Sequence, residues 1–283
     1  MIKTRAIVLH RFAYSDSSFI VKALTEECGV VSFIIKGAKR KESPFKGALD
    51  PLALSEVVFR QNPNTELQFI KEASIIDWHG ELRNSLMNLA VAQVMAEIVL
   101  RYAPPATPIP EEFALLEQAF KEFNSPTGAA GNSSAPGAVN GTSTPGVSSA
   151  DSVFSRWLLD ISDLWGYHLE LGVCSRCEKV LTEPAADFFP ESGALICKHC
   201  QGVQSARARA ETLQGLWELY LAQNNPEQAL QKLTGRVFVE NALLSYLRNH
   251  IGFLKEIHSL SWLQEVRKLS LPATAPQPPP PTT

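Results

Sequence analysis

Four of the five cysteines stand in two Cys-x-x-Cys pairs, Cys174/Cys177 and Cys197/Cys200, with residues 178–196 between them. Two hooks at this spacing offer four thiolates to one tetrahedral ion. Zinc suits them, because it accepts soft ligands and makes no redox demand. Protein sulfur at all four positions leaves none for water or substrate, so one structural zinc ion is expected and no catalytic residue is assigned. The competing reading is a zinc hydrolase or deaminase. His168-Leu169-Glu170 spells the His-x-Glu element of zinc deaminases, but it stands only three residues before Cys174. Val173 and Ile196, not proline, precede the two pairs. His199, inside the second hook, is expected to point outward. Cys28 stands alone at a turn and carries no assigned chemistry.

A second group is cationic. Lys36, Lys39, Arg40, Lys41 and Lys46 crowd one short stretch opposed only by Glu42, and Gly37 and Gly47 free its backbone path. The whole chain has a formal charge of −3, so any affinity for a polyanion must come from such a local patch. Arg11 and Arg60, with Lys22, extend the track if they face outward. Phe12, Tyr14, Phe19 and Phe45 are candidates for stacking on bases. The candidate DNA-binding residues are therefore Arg11, Lys36, Lys39, Arg40, Lys41, Lys46 and Arg60. On charge alone the same loop also fits a solvated surface.

These residues need elements to position them. Between Ile2 and Trp78, five β-rich runs (IKTRAIVLHRF, FIVKALT, VVSFIIK, LALSEVVF, LQFIKEASII) alternate with polar or Gly/Pro-containing breaks. The break at Glu26 to Gly29 is short enough for a hairpin, whereas Gly37 to Pro51 is a long loop. That uneven pattern suits an OB-type barrel. After Trp78 the period changes. Leu82, Leu86, Leu89 and Ala90 share a helical face, and AVAQVMAEIVL is apolar nearly all round, as in a buried central helix. Pro110 opens a second helix with Phe113, Leu116, Phe120 and Phe123 inside. A third stripe, Phe154, Trp157, Leu158, Ile161, Leu164 and Trp165, ends at Gly166. Further helices are expected at 211–222, 226–233, 237–253 and 260–269.

The predicted fold class is α+β. An N-terminal five-stranded OB-fold barrel (1–79) precedes an α-helical domain (80–271) carrying a four-cysteine zinc-binding module (172–203). A Ser/Gly/Ala-rich insertion at 124–150 cannot offset its ordering entropy by burial and is expected to be disordered, as is the proline-rich tail 272–283. The opening MIKTRAIVLHRFAYSD lacks the apolar run of an export signal, and Leu89 to Leu100 is broken by Gln93 and Glu97 and shorter than the ~20 residues a membrane span needs. A cytoplasmic protein with reduced thiols and no membrane partner is expected. The sequons at Asn132 and Asn140 are discounted accordingly.

The chain resembles the RecO family of bacterial recombination mediators. The likeness is carried by TRAIVLHRFAYSDSSFIVKALTEECGVVSFIIKGAK, the basic segment KGAKRKESPFKGALDPL, LLDISDLWGYHLELGVCSRC, FFPESGALICKHC and LLSYLRNHIGFLKEIHSLSWL. The resemblance implies a non-enzymatic, nucleoid-associated DNA repair and homologous recombination protein. It implies binding to single- and double-stranded DNA, annealing of complementary strands, and partnership with RecR and single-stranded DNA-binding protein in loading RecA. Glu178 departs from the glycine usual after the first hook. The alternative from another class is an OB/zinc-ribbon adaptor of transcription or translation.

Overall fold

Strand β1 (Ile2–Ala13) is buried on both faces, and this decides the architecture. Ala6 and Val8 point into one apolar cluster with Val21, Phe33, Val57 and Phe59, while Ile7 and Leu9 join a second cluster built mainly from helices. The two-residue period of a strand sends alternate side chains to opposite sides, so β1 divides a barrel interior from a helical core. In this computed structural model, residues 1–40, 43–104, 107–124, 150–202, 206–224, 235–251 and 257–270 are described.

β1, β2 (Phe19–Thr25), β3 (Gly29–Ile35), β4 (Leu54–Arg60) and β5 (Leu67–Asp77) close in the order β1-β2-β3-β5-β4. Phe12 pairs with Ile20, Ile20 with Ile34, Ile34 with Phe69 and Phe69 with Arg60, while the neighbouring Phe59 pairs with Ile2. One circuit thus leaves β1 near its end and returns at its start. This is the stagger that lets five tilted strands close without an edge. The expected hairpin is present at residues 26–28, where the Thr25 hydroxyl accepts from the Cys28 amide (3.1 Å) and donates to the Gly29 carbonyl (2.8 Å).

Helices α1 (Gly80–Asn84) and α2 (Leu86–Tyr102) follow. The single stripe expected over Leu82 to Ala90 is broken at Ser85, whose backbone is extended and whose hydroxyl caps α2 by accepting from the Asn88 amide. The break swings Leu86 outward while Leu82 and Ala90 stay buried. α2 is the expected central helix, packed against β1, α3 (Pro110–Asn124) and α4 (Ala150–Leu164). Phe113, Leu116, Phe120 and Phe123 are all buried, as are Phe154, Trp157, Leu158 and Ile161. Leu164 instead faces outward in the last turn of α4. There Gly166 (φ +81°) ends the helix, with the Tyr167 amide bonding to the Ser162 carbonyl and the Gly166 amide to that of Asp163.

The short strands β6 (Asp187–Phe189) and β7 (Ala194–Ile196) and helix α5 (Lys198–Gln201) carry the second cysteine pair. α6 (Ala210–Asn224), α7 (Arg236–Ile251) and α8 (His258–Ser270) complete the helices, and α2 packs on α8. The insertion expected over 124–150, apart from its end residues in α3 and α4, lies outside the described residues. So do the helix expected at 226–233 and the tail 272–283. Among the described residues no helix is long and apolar enough to cross a membrane.

Candidate metal centre and nucleic-acid interface

The cysteine hooks are two tight turns held face to face. Cys174 lies in a narrow loop closed by the Val173/Val180 bridge, and its amide donates to the Lys179 carbonyl at 2.9 Å. Glu178 turns the chain at φ +57°, the left-handed conformation for which glycine is usual, and its amide donates to the Cys174 carbonyl. The Ser175 amide donates to the Leu195 carbonyl, and the Leu195 amide returns to the Ser175 hydroxyl, so the first hook is fixed to β7.

The four sulfurs of Cys174, Cys177, Cys197 and Cys200 all lie within 4.8 Å of one another. Cys177 Sγ and Cys197 Sγ are 3.8 Å apart. A tetrahedron with arms of ~2.3 Å, the zinc–thiolate distance, has edges of ~3.8 Å, so the spacing fits such an ion. Burial works against the Cys174 thiolate, but the amides of Cys197, Cys177 and Arg176 outweigh it and bring its pKa down to about 6. Cys200 is pushed up to about 12, first by its hydrogen bond to Cys177 and then by desolvation and the other sulfurs. Four converging sulfurs cannot all ionise without a cation among them, and their spacing is one that could hold a metal ion. Neither His199 nor His168 belongs to the cluster. His168 Nδ1 faces Asp163 (2.8 Å), and Glu170 accepts from the Gly172 amide (2.8 Å).

The basic residues meet aromatic rings at one rim of the barrel. Lys36 Nζ lies 5.3 Å from the centre of the Phe69 ring, and Arg60, exposed at the end of β4, pairs with Phe69 across the ladder. A few residues away, Arg11 (4.8 Å) and Lys39 (5.5 Å) both lie over Phe19. Lys39 also donates to the Ser15 carbonyl at 2.6 Å, pinning the loop after β3 to the loop after β1. Arg40 and Lys46 are exposed in the turns between β3 and β4. Arg11 differs from the rest, because its guanidinium is paired with Asp50 and is already neutralised. Lys41 lies outside the described residues.

Among the aromatics read from sequence, Phe12 and Tyr14 are exposed, Phe19 lies under its two cations, and Phe45 packs on the barrel core. Phe69, at 55% exposure, escaped the sequence reading. Alternation alone would turn a phenylalanine inward and its glutamine neighbour outward. Here Gln68 is buried because it ties down loop 61–66, donating to the carbonyls of Asn62 (3.1 Å) and Thr65 (2.6 Å) and accepting from the Asn62 amide (2.7 Å). Phe69 takes the outer face as a consequence.

Residues 1–79, which include the whole barrel, match the family model described as Recombination protein O N terminal. The chain is 24% identical over 271 residues to the DNA repair protein RecO of Dehalococcoides mccartyi strain 195, covering 95% of this chain and 97% of that relative. The chain is thus similar to RecO proteins through the barrel and, at lower identity, along nearly its whole length. The RecO of Geobacter metallireducens is 29% identical over 200 residues, covering 70% of this chain and 72% of the relative. That of Salinibacter ruber is 33% identical over 124 residues, covering 44% of this chain and 48% of the relative. The barrel, succeeding helices and cysteine cluster expected from the sequence are all present.

Proposed function

We propose that this protein is a non-enzymatic mediator of DNA repair and recombination of the RecO kind. In this reading it binds single- and double-stranded DNA, anneals complementary strands, and works with RecR and single-stranded DNA-binding protein to load RecA. The reading rests above all on the exposed cations Lys36, Lys39, Arg40, Lys46 and Arg60 interleaved with Phe69 and Phe12 on one rim of an OB-type barrel. Cations neutralise phosphates whatever the sequence, and ring faces stack on any base, which is what a sequence-blind annealing protein requires. The relatives' name, DNA repair protein, points the same way.

One zinc ion held by Cys174, Cys177, Cys197 and Cys200 braces the module at 172–203 within the helical region at 80–271, which follows the barrel at 1–79. Four thiolates saturate the ion and favour this over a zinc hydrolase or deaminase. When bound, zinc contributes folding free energy and takes no part in turnover. A cytoplasmic, nucleoid-associated location follows from a DNA partner. An OB/zinc-ribbon adaptor of transcription or translation shares both modules but has no use for annealing. The deciding experiment mixes complementary oligonucleotides with and without the protein and follows duplex formation. Accelerated annealing supports the mediator, and binding without acceleration supports the adaptor.

A further inference from the structure

The two cysteine hooks are held face to face by the chain itself as well as through their sulfurs. The Ser175 amide donates to the Leu195 carbonyl at 2.8 Å, and the Ser175 hydroxyl accepts from the Leu195 amide at 3.1 Å. The Arg176 guanidinium donates to the Cys200 carbonyl, and the Cys197 amide donates to Cys174 Sγ at 3.4 Å, so each hook also grips the other directly. Behind them the module is fastened to the helices. Asp187 accepts from the amides of Arg207 and Ala208 ahead of α6, and the Tyr246 hydroxyl on α7 donates to the His168 carbonyl. This frame keeps the sulfurs neighbours whatever lies between them.

The four sulfurs are not equally accessible. Cys174 is fully buried, whereas Cys177, Cys197 and Cys200 are partly exposed. Cys177 Sγ and Cys197 Sγ, one from each hook, lie 3.8 Å apart. Cys200 sits inside α5, its amide bonded to the Cys197 carbonyl at 3.1 Å, while Cys197 stands before that helix with an extended backbone (φ −74°, ψ 162°). Cys197 is therefore the second-hook sulfur freer to move toward Cys177.

We propose that Cys177 and Cys197 form a reversible oxidation site, at which a hydroperoxide exchanges the metal brace for a disulfide between the same two hooks; the proposal rests on reading the cluster as a zinc site. A bond within either hook would close only a short loop and leave the hooks joined by hydrogen bonds alone. The cross-hook bond closes the longer loop 177–197, which constrains the unfolded chain more and links the parts that the ion links.

The chemistry balances in two steps. One thiolate of the pair attacks a peroxide oxygen: an S–O bond forms, the O–O bond breaks, and the departing oxygen takes up a proton and leaves as water or alcohol. The partner thiolate then attacks the resulting sulfenic acid. The S–S bond forms, the S–O bond breaks, and hydroxide leaves as water with a second proton. Two electrons have passed from the sulfur pair to the peroxide. A resolving thiol at 3.8 Å captures the sulfenic acid before further oxidation. Cys174 and Cys200 are then too few ligands for a tetrahedral ion, so zinc departs and both are protonated. A dithiol reductant reverses the exchange.

The test treats the zinc-loaded full chain with excess hydrogen peroxide, followed by catalase. Expected are release of the zinc to a chromogenic chelator, a fall in titratable thiols from five to three, and a Cys177–Cys197 link in peptide mapping. Dithiothreitol with added zinc should restore metal and thiols. The oxidised chain should keep at least half of the melting temperature that chelation removes from the reduced chain. Cys28→Ser, outside the cluster, should respond as the unmodified chain does. A link within either hook, a link from Cys177 to Cys200 or to Cys28, sulfinic acid without a disulfide, or zinc that survives the peroxide overturns the proposal. A chain that carries no zinc before treatment overturns the zinc reading and the proposal together. Zinc present at the start and lost without the cross-hook link overturns the proposal alone.

Discussion

His79 Nδ1 lies 2.8 Å from the carbonyl oxygen of Leu52, and both residues hold left-handed backbone angles, φ +53° and +66°. A carbonyl only accepts, so the imidazole proton sits on Nδ1 and the fully buried Nε2 is left without a hydrogen bond. Each left-handed non-glycine residue costs roughly 1–2 kcal/mol, which the surroundings must offset. Asp77 accepts from the His79 amide at 2.7 Å, the Phe120 ring meets the imidazole edge-on, and Arg83 donates to the carbonyls of Trp78 and Pro51. This joint fixes the end of the basic loop to the first helix.

Burial pushes the His79 pKa below its ordinary value, against the opposing pull of the Leu52 bond and Asp77. The folded state therefore binds a proton less readily than the unfolded chain. The associated stability is complete above the unfolded histidine range, at about 6.5, and is lost as pH falls from there through the depressed folded value. Melting temperature measured from pH 8 to pH 5 should drop in that window. His79→Asn tolerates the left-handed angle but cannot titrate, so it should lower stability at pH 8 and flatten the drop. An equally steep acid limb in His79→Asn would place its origin elsewhere.

A second buried charge site ties α4, α7 and α8 together. Arg267 donates to both Asp151 (2.5 Å) and Glu240 (2.5 Å), and Arg236 also reaches Asp151 (3.0 Å). Burial, reinforced by the negative charge of Asp151 and opposed by Arg267, raises the Glu240 carboxyl to about 8. At neutral pH it is chiefly the protonated acid, so Glu240→Gln should cost less than about 1 kcal/mol. Arg267→Ala breaks the buried bridge and leaves Asp151 with the half-exposed Arg236 as its remaining cation, and should cost about 3 kcal/mol. Because the folded pKa is raised, the stabilisation from Glu240 is complete below the free carboxyl range, at about 4.3, and is lost as pH rises toward 8. Urea midpoints across that range should decline for the unmodified chain and less for Glu240→Gln.

At the cysteine cluster, metal binding free energy is folding free energy for the module. One zinc per chain is expected by native mass spectrometry. Chelation should lower the melting temperature, and Cys197→Ser should abolish stoichiometric zinc and reduce soluble yield. Full zinc loading with unchanged melting in Cys197→Ser would exclude a four-sulfur site.

The features legible in the sequence were those set by local rules. The barrel strands, the 26–28 hairpin, the helical stripe from Phe113 to Phe123 and the two cysteine hooks each follow from a period or a spacing. What escaped depends on partners distant in the chain. Leu86 and Leu164 have helical periodicity but sit where Ser85 and Gly166 turn the backbone, and both face outward. Phe69 is outward because Gln68 anchors a loop, and Arg11 is neutralised by Asp50 across the barrel mouth. Glu178 was the informative departure: its positive φ marks the tight turn that a glycine would otherwise make.

The rim gives the sharpest separation of roles. Changing Lys36, Lys39 and Arg40 together to alanine removes three exposed cations, each worth ~0.7 in the dependence of log affinity on log salt, so the slope for single-stranded DNA should fall by about 2. Arg11→Ala should change the slope far less, because Asp50 already holds its charge, and should instead lower stability. Phe69→Ala leaves every cation in place and removes a stacking face worth ~1–3 kcal/mol, so affinity should fall by roughly 5- to 150-fold with the slope preserved. Titrations at four salt concentrations read slope and affinity together. A slope unchanged in the triple variant would remove the loop from the interface, and a full-strength Phe69→Ala would leave the rim purely electrostatic.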